Sequence, residues 1–153
     1  MNRTEERQFV VQQYIDAGRP WPAPAIDIAK WAYQTGHMHA HPADVVKQFA
    51  HELSRAMREE YTTDPQGRLV RAKHSARVSI DGKQTSLWAD WSSTREILEI
   101  ALRQRREQIA GDCRQLKTDV DSFNDNWSGG QPIQMVFDFT EDLEELELMS
   151  SLR

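Results

Sequence analysis

The stretch that decides the fold is DPQGRLVRAKHSAR, residues Asp64 to Arg77. Its first four residues, Asp-Pro-Gln-Gly, have the composition of a tight turn. From Leu69 to Ile80 apolar and polar residues alternate, which is the period-2 pattern of a strand. Asp81-Gly82 is a favoured two-residue hairpin turn. The segment from Gln84 to Trp91 is therefore predicted to be the returning strand of a β-hairpin.

The predicted hairpin is strongly basic, because residues 65–77 carry four cations and no acid. Arginine and lysine on a β-arm are suited to neutralising backbone phosphates. We therefore expect nucleic-acid contact, with duplex DNA as the preferred target. The alternative is that these cations are hydrated surface residues on one face of the sheet and bind no partner. The candidate hairpin residues are Arg68, Arg71, Lys73, Arg77 and Lys83.

The net charge of −5 is unevenly distributed along the chain. Residues 1–92 carry 12 basic and 11 acidic side chains, and residues 93–123 carry six of each. Residues 124–153 carry one basic and seven acidic side chains. Local patches rather than the average charge decide phosphate binding. The acidic C-terminal segment therefore does not exclude a polyanion partner.

Three helices are predicted before the hairpin, at about Thr4–Ala17, Pro24–Gly36 and Pro42–Tyr61. Asn2 and Glu5 have the spacing of a capping box for the first helix. A stiff, proline-rich linker separates the first helix from the second. The third helix has apolar residues at regular helical spacing, namely Val45, Val46, Phe49, Leu53, Ala56 and Met57.

A long helix is predicted from Ser93 or Thr94 to Phe123. From Ile109 its apolar residues recur at spacings of 4, 3, 4 and 3, which is a heptad seam. Packing of this seam within the molecule is favoured over a dimeric coiled coil. Together these patterns predict an α+β, mainly helical chain with one hairpin. The predicted division is a first domain at 1–92, the long helix at 93–123, and a linker with an acidic tail at 124–153.

The order of three helices, strand, glycine-containing turn and strand over residues 4–92 resembles a winged-helix domain. In that family the third helix usually enters the major groove, and the hairpin wing contacts the DNA backbone or minor groove. The resemblance implies DNA binding in which the hairpin cations form the wing. It also places Lys47, Arg55 and Arg58 on or near the reading helix.

Three further segments resemble a family of uncharacterised bacterial and phage proteins. They lie at residues 58–77, 108–126 and 132–145, and contain REEYTTDPQGR, GDCRQLKTDVDSFN and PIQMVFDFTED respectively. From the first segment to the last, the likeness spans residues 58–145, which is more than half of the chain. It implies membership of a family without a known activity.

The segment QMVFDF, residues 134–139, resembles the short peptide by which bacterial replication and repair proteins bind the sliding clamp. Large apolar anchors on a flexible tail are suited to a partner's groove. The favoured alternative is that this segment forms an edge strand or packs on the core of its own chain. Binding to a protein partner other than the clamp is the third alternative. The candidate partner-binding residues are Gln134, Met135, Phe137 and Phe139.

His37, His39 and His41 alternate along the chain and would share one face of an extended segment. A histidine-rich loop is favoured over a metal site, because neither cysteine nor acid joins them before Asp44. No catalytic nucleophile, phosphate loop or dinucleotide fingerprint is visible. Cys113 lies on an apolar helix face, where an inert thiol is expected. We therefore expect a protein without cofactor, bound metal or enzymatic activity.

The single cysteine fits a reducing compartment, and no apolar run approaches the length of a membrane span. The chain is therefore predicted to be a cytoplasmic nucleic-acid-binding protein. Its acidic tail would recruit a partner or compete for the basic face. The alternative is a protein–protein adaptor that acts through residues 109–123 and 131–148. The oligomeric state stays open.

Overall fold

The computed structural model describes residues 1–152, and its architecture is α+β as predicted. Five helices and two small antiparallel hairpins make up these residues. The chain divides into two compact units, Met1–Ala56 and Met57–Arg153. The predicted boundaries at residues 92 and 123 stay predictions.

The first unit contains α1 at Arg3–Asp16, α2 at Ala25–Gln34 and most of α3 at Pro42–Arg58. The predicted capping box at the start of α1 is confirmed. The Glu5 N–H donates to Asn2 Oδ1 at 2.9 Å, and the Asn2 N–H donates to Glu5 Oε2 at 2.8 Å. These reciprocal bonds satisfy two N–H groups that a helix start otherwise leaves unpaired.

A small core forms between α1 and α2, with Val10, Tyr14 and Ala32 buried. The Tyr14 hydroxyl donates to the Pro20 carbonyl at 2.8 Å, and its ring meets the Trp31 ring edge-on at 5.5 Å. Tyr14 therefore anchors both the second helix and the proline-rich linker.

The third helix adds no buried residue to this core. Its apolar stripe is present as predicted, but the side chains of Val46, Phe49 and Leu53 are 71%, 56% and 63% exposed. Helical periodicity thus predicted which residues share a face of α3. It did not predict that this face remains in solvent.

The second unit begins with two hairpins instead of the single one that the alternation predicted. Strand β1, Tyr61–Thr63, pairs with β2, Leu69–Arg71, and β3, Lys73–Ile80, pairs with β4, Lys83–Asp90. The prediction of one strand from Leu69 to Ile80 is wrong, because the chain changes partner at Ala72. The Ala72 N–H instead donates to the Glu60 carbonyl at 2.9 Å.

Each hairpin is closed by a turn whose chemistry is visible in the sequence. Asp64 accepts hydrogen bonds from the N–H groups of Gln66 and Arg68, at 3.0 and 2.7 Å. Asp81 and Gly82 have φ values of 49° and 78°, the positive pair that a tight hairpin turn requires. The predicted turn at these two residues is therefore confirmed.

The long helix α4 extends over Arg95–Asn126, three residues beyond its predicted end. It packs mainly against β3, and Ala76, Ala89 and Ala101 are buried in this unit. Small side chains let a helix and a sheet approach closely. This packing places one face of α4 beside the hairpin, where the cleft described below forms.

The segment after α4 folds back along it. The side-chain amide of Asn124 forms two hydrogen bonds with the backbone of Ile133, both at 2.8 Å. The last helix, α5 at Thr140–Ser151, follows within the predicted acidic tail. No helix within residues 1–152 has the length and apolar character needed to cross a membrane.

Candidate nucleic-acid interface

A cleft of about 670 Å³ lies between the β3–β4 hairpin and α4 in the second unit. Five cationic side chains line it, and Glu107 is the carboxylate among its lining residues. The cations come from four separate elements, so the fold and not the local sequence assembles them. They are Arg58, Arg71, Lys73, Arg77 and Arg105.

Strand alternation explains how the hairpin turns its polar face to the cleft. Ser75 is opposite Trp88, and Arg77 is opposite Ser86, in the antiparallel register. These four residues share one face of the hairpin, because side chains two apart on a strand point the same way. The other face carries His74, Ala76 and Ala89, which are buried.

Arg71 and Arg105 bring two positive charges together. The pKa of Arg105 is lowered, first by desolvation and then by the charge of Arg71, with an opposing effect from Tyr61. Neither guanidinium has an ion-pair partner among residues 1–152. Like charges held together without a carboxylate favour a bound anion.

The backbone of Arg71 is held firmly at the edge of this cleft. Its carbonyl accepts hydrogen bonds from Trp91 Nε1 at 3.0 Å and from His74 Nε2 at 3.1 Å. The rings of His74 and Trp91 lie edge to face at 4.4 Å. Trp91 is thus a packing residue here, whereas Trp88 lines the cleft.

His74 is buried and favours its neutral form. Desolvation lowers its pKa most, while its hydrogen bond to the Arg71 carbonyl opposes this shift. The positive charges of Arg105 and Arg71 lower the pKa further. This histidine supports the cleft wall, and its lowered pKa disfavours the positively charged form.

The predicted hairpin cations divide into those at the cleft and those outside it. Arg71, Lys73 and Arg77 line the cleft, although Lys73 Nζ also forms an ion pair with Glu60 at 2.8 Å. Arg68 lies in the β1–β2 turn and pairs with Asp64 at 2.7 Å.

The remaining predicted cations lie elsewhere. Lys83 is opposite Ile80 at the hairpin tip, and its strand position is on the face opposite to Arg77. Lys47 and Arg55 belong to the part of α3 in the first unit, and neither lines the cleft.

Two cleft cations were absent from the hairpin prediction. The Arg58 guanidinium lies over the Trp88 ring, 5.7 Å from its centroid. Arg105 enters the cleft from α4. The available signal for Arg105 was the basic run Arg-Gln-Arg-Arg at residues 103–106. Nothing local indicates which of these arginines turns toward β3.

The alternating histidines make separate contacts in the first unit. His37 stacks on Trp31 with ring centroids 4.4 Å apart, and its Nδ1 is 2.6 Å from Thr35 Oγ1. His41 Nδ1 accepts a hydrogen bond from the Ala43 N–H at 3.1 Å. Throughout residues 1–152, no cluster of three or more His, Cys, Asp or Glu side chains has a geometry that could hold a metal ion.

The predicted partner-binding segment lies partly against α4. A groove of about 200 Å³ is bounded by Lys117, Val120 and Asp121 on the helix, and by Ile133 to Met135 with Phe137 on the returning chain. Met135 remains 50% exposed and Phe139 42% exposed. The apolar anchors are therefore divided between packing on α4 and solvent.

No protein-family model, curated protein or solved structure matches this chain. The resemblances described from the sequence therefore stay predictions. The geometry and charge of the cleft are therefore the features that support a function.

Proposed function

We propose that this protein is a non-enzymatic nucleic-acid-binding protein and that the cleft between β3–β4 and α4 holds the phosphate backbone. The observation that carries the proposal is the convergence of five cations on one concave surface with a single lining carboxylate. Phosphate contacts of this kind supply most of the sequence-independent affinity for nucleic acid.

Arg71 and Arg105 are the expected centre of phosphate binding. Folding holds their two positive charges together without a neighbouring carboxylate, at a cost that a bound phosphate would offset. Arginine also presents a planar fork of donors that matches two phosphate oxygens. Arg77 and Lys73 extend the same positive surface along β3.

The test is a fluorescence-anisotropy titration with labelled oligonucleotides between 50 and 200 mM salt. We expect the double substitution Arg71→Ala with Arg105→Ala to weaken binding at least about tenfold. It should also reduce the slope of log affinity against log salt by about one to two. Both changes follow from the loss of two phosphate contacts.

The matched control combines Arg103→Ala with Lys83→Ala and removes the same charge from outside the cleft. Arg103 precedes Arg105 by two residues, and therefore points about 200° away around α4. Lys83 is on the opposite hairpin face. Equal losses in the two double variants would contradict a cleft-based interface and indicate only nonspecific attraction.

The winged-helix interpretation extends the proposal to α3. Its support is the order of three helices followed by two hairpins, of which the second has a glycine turn. In this extension Lys47 and Arg55 of α3 also contact duplex DNA. The substitutions Lys47→Ala and Arg55→Ala should then weaken duplex binding as the cleft variants do. Unchanged duplex affinity would remove α3 from the interface.

A protein–protein adaptor is the second candidate, favoured by the exposed apolar residues of the C-terminal region. Ile109 and Leu116 of the seam are 53% and 45% exposed, and Leu143 and Leu146 of α5 are 58% and 62% exposed. Five acidic residues also accompany the α5 leucines. In the adaptor this region recruits a protein partner and the protein does not contact nucleic acid. In the nucleic-acid-binding protein the acidic tail recruits a partner or competes for the basic face.

The two candidates are separated by substituting the tail without touching the cleft. If the protein is an adaptor, it should capture a partner protein from host lysate even after nuclease treatment. The double substitution Leu143→Ser with Leu146→Ser should abolish this capture. It should leave oligonucleotide affinity unchanged if the cleft alone binds nucleic acid. Met135→Ser and Phe139→Ser test the clamp-like segment by the same measurement.

A further inference from the structure

The shape of the cleft limits which form of nucleic acid it accepts. Proteins read a duplex mainly by inserting a convex helix or ribbon into its major groove, which is about 12 Å wide. The cationic surface here is concave, and its volume of about 670 Å³ is typical of sites that enclose small ligands. An unpaired strand is flexible enough to place its backbone and bases within such a surface.

The cleft also contains an aromatic surface beside its cations. Trp88 lines it on the polar face of the hairpin, next to Ser75 across the strand pair. The Arg58 guanidinium covers the ring at 5.7 Å. An exposed cation–π contact is weak. Another flat group can therefore replace Arg58 over the indole.

Proteins that bind single-stranded nucleic acid combine cationic side chains with an aromatic ring in one groove. The backbone follows the positive charges, and bases stack on the ring without regard to sequence. Here Arg71, Arg105 and Arg77 supply the charges, and Trp88 supplies the ring. A paired base is stacked within its duplex and does not offer its face to this ring.

We propose that the cleft takes single-stranded nucleic acid in preference to duplex, with an unpaired base stacked on Trp88 in place of Arg58. The displaced guanidinium then turns to a phosphate of the same strand. This inference rests on the proposed nucleic-acid-binding function and defines the class of ligand for the same site.

The experiment compares three labelled 12-mers by fluorescence anisotropy: oligothymidylate, a strand of the same length without bases, and a duplex. The wild-type protein should bind oligothymidylate about tenfold more tightly than the base-free strand, because only the former stacks. It should bind the duplex more weakly than oligothymidylate. These comparisons require no substitution, so they do not depend on the folding of a variant.

The variant Trp88→Leu then assigns the stacking site. It should lose most of the difference between oligothymidylate and the base-free strand, while its affinity for the base-free strand stays the same. Trp88→Phe should retain much of the difference. The control is Trp127→Leu, which changes a 70% exposed tryptophan outside the cleft and should behave like the wild type.

The outcomes separate the inference from the function on which it rests. Equal affinity for strands with and without bases, tighter binding of the duplex, or an undiminished difference in Trp88→Leu would overturn single-strand stacking while leaving phosphate binding intact. Absence of salt-dependent binding to all three 12-mers would overturn both proposals.

Discussion

The side-chain amide of Gln104 forms two hydrogen bonds with the backbone of Arg77. The Arg77 N–H donates to Oε1 at 2.7 Å, and Nε2 donates to the Arg77 carbonyl at 2.8 Å. Within residues 1–152 strand β3 pairs only with β4, so its other edge would otherwise present these groups unpaired. Gln104 thereby occupies the position of a neighbouring strand and holds α4 beside the hairpin.

Replacing Gln104 with alanine should destabilise the protein by about 1–2 kcal/mol, since two hydrogen bonds between distant segments are lost. Urea unfolding measures the change in free energy. The control is Gln115→Ala, because the Gln115 amide donates to Asp119 one turn along the same helix α4. Equal stability of Gln104→Ala and the control would show that the contact does not hold α4 to the sheet.

Two glycines should respond in opposite directions to alanine substitution. Gly82 has a φ of 78°, a conformation that costs an alanine about 1–2 kcal/mol. Gly111 lies within α4, where an added Cβ would meet open space. Gly111→Ala should therefore stabilise the protein by about 0.5–1 kcal/mol. Thermal unfolding of both variants checks these signs, and the same sign for both would contradict the argument.

Removing the charge of Glu60 should strengthen nucleic-acid binding, because this carboxylate forms an ion pair with Lys73 of the cleft. We expect Glu60→Gln to bind oligonucleotides about two- to fivefold more tightly at low salt. The control is Glu99→Gln, which frees Arg95 outside the cleft. A gain of the same size in both variants would indicate an effect of net charge alone.

Stability should fall as the pH decreases below about 6.5 because of His74. Its folded-state pKa is lowered below the ordinary 6.5, mainly by desolvation. The His74 imidazole therefore takes up a proton at a higher pH in the unfolded chain than in the folded protein. As the pH falls from about 6.5 to the folded-state pKa, protonation favours the unfolded state. Urea midpoints between pH 5.5 and 7.5 measure the effect.

The variant His74→Gln tests that assignment, since glutamine retains a donor for the Arg71 carbonyl but does not titrate in this range. Its stability should depend less on pH than that of the wild type. The control is His51→Gln, which removes an exposed imidazole on α3. An unchanged pH dependence in His74→Gln would show that another group is responsible.

Replacing Asn124 with alanine should release the returning segment from α4. Its amide holds both backbone polar groups of Ile133, at 2.8 Å each. Limited proteolysis should then cut residues 128–139 faster, with α4 remaining intact. Asn126→Ala is the control, because the Asn126 side chain donates to Ser122 within the same helix. Equal cleavage rates in both variants would contradict an anchoring role for Asn124.

Much of the candidate site follows from local patterns in the sequence. The turn at Asp81-Gly82 and the alternation of β3 predict that Lys73, Ser75 and Arg77 share one face. Those patterns depend on steric preferences and on the strand period, both of which act over a few residues. The same reasoning correctly identified the capping box of α1 and the helices around the hairpin.

Other features depended on contacts between residues far apart in the chain. The change of strand partner at Ala72 depends on its bond to Glu60, and the alternating pattern continues past that point without a break. Neither the acidic partner of Lys73 nor the exposure of the α3 stripe has a local signal.

The sequence by itself determined helices α1 to α4, the hairpin turn and the cationic face of β3, because local periodicity and turn chemistry specify them. Helix α5 lies in a segment that the sequence indicated only as an acidic tail. Only the tertiary structure placed Arg105 beside Arg71 and enclosed Trp88 within the same cleft. Packing of α4 against β3 does this, and the bonds between Gln104 and Arg77 join residues 27 positions apart. The period of a strand or helix determines which face of the element a side chain lies on. Packing between distant segments determines which residues that face contacts.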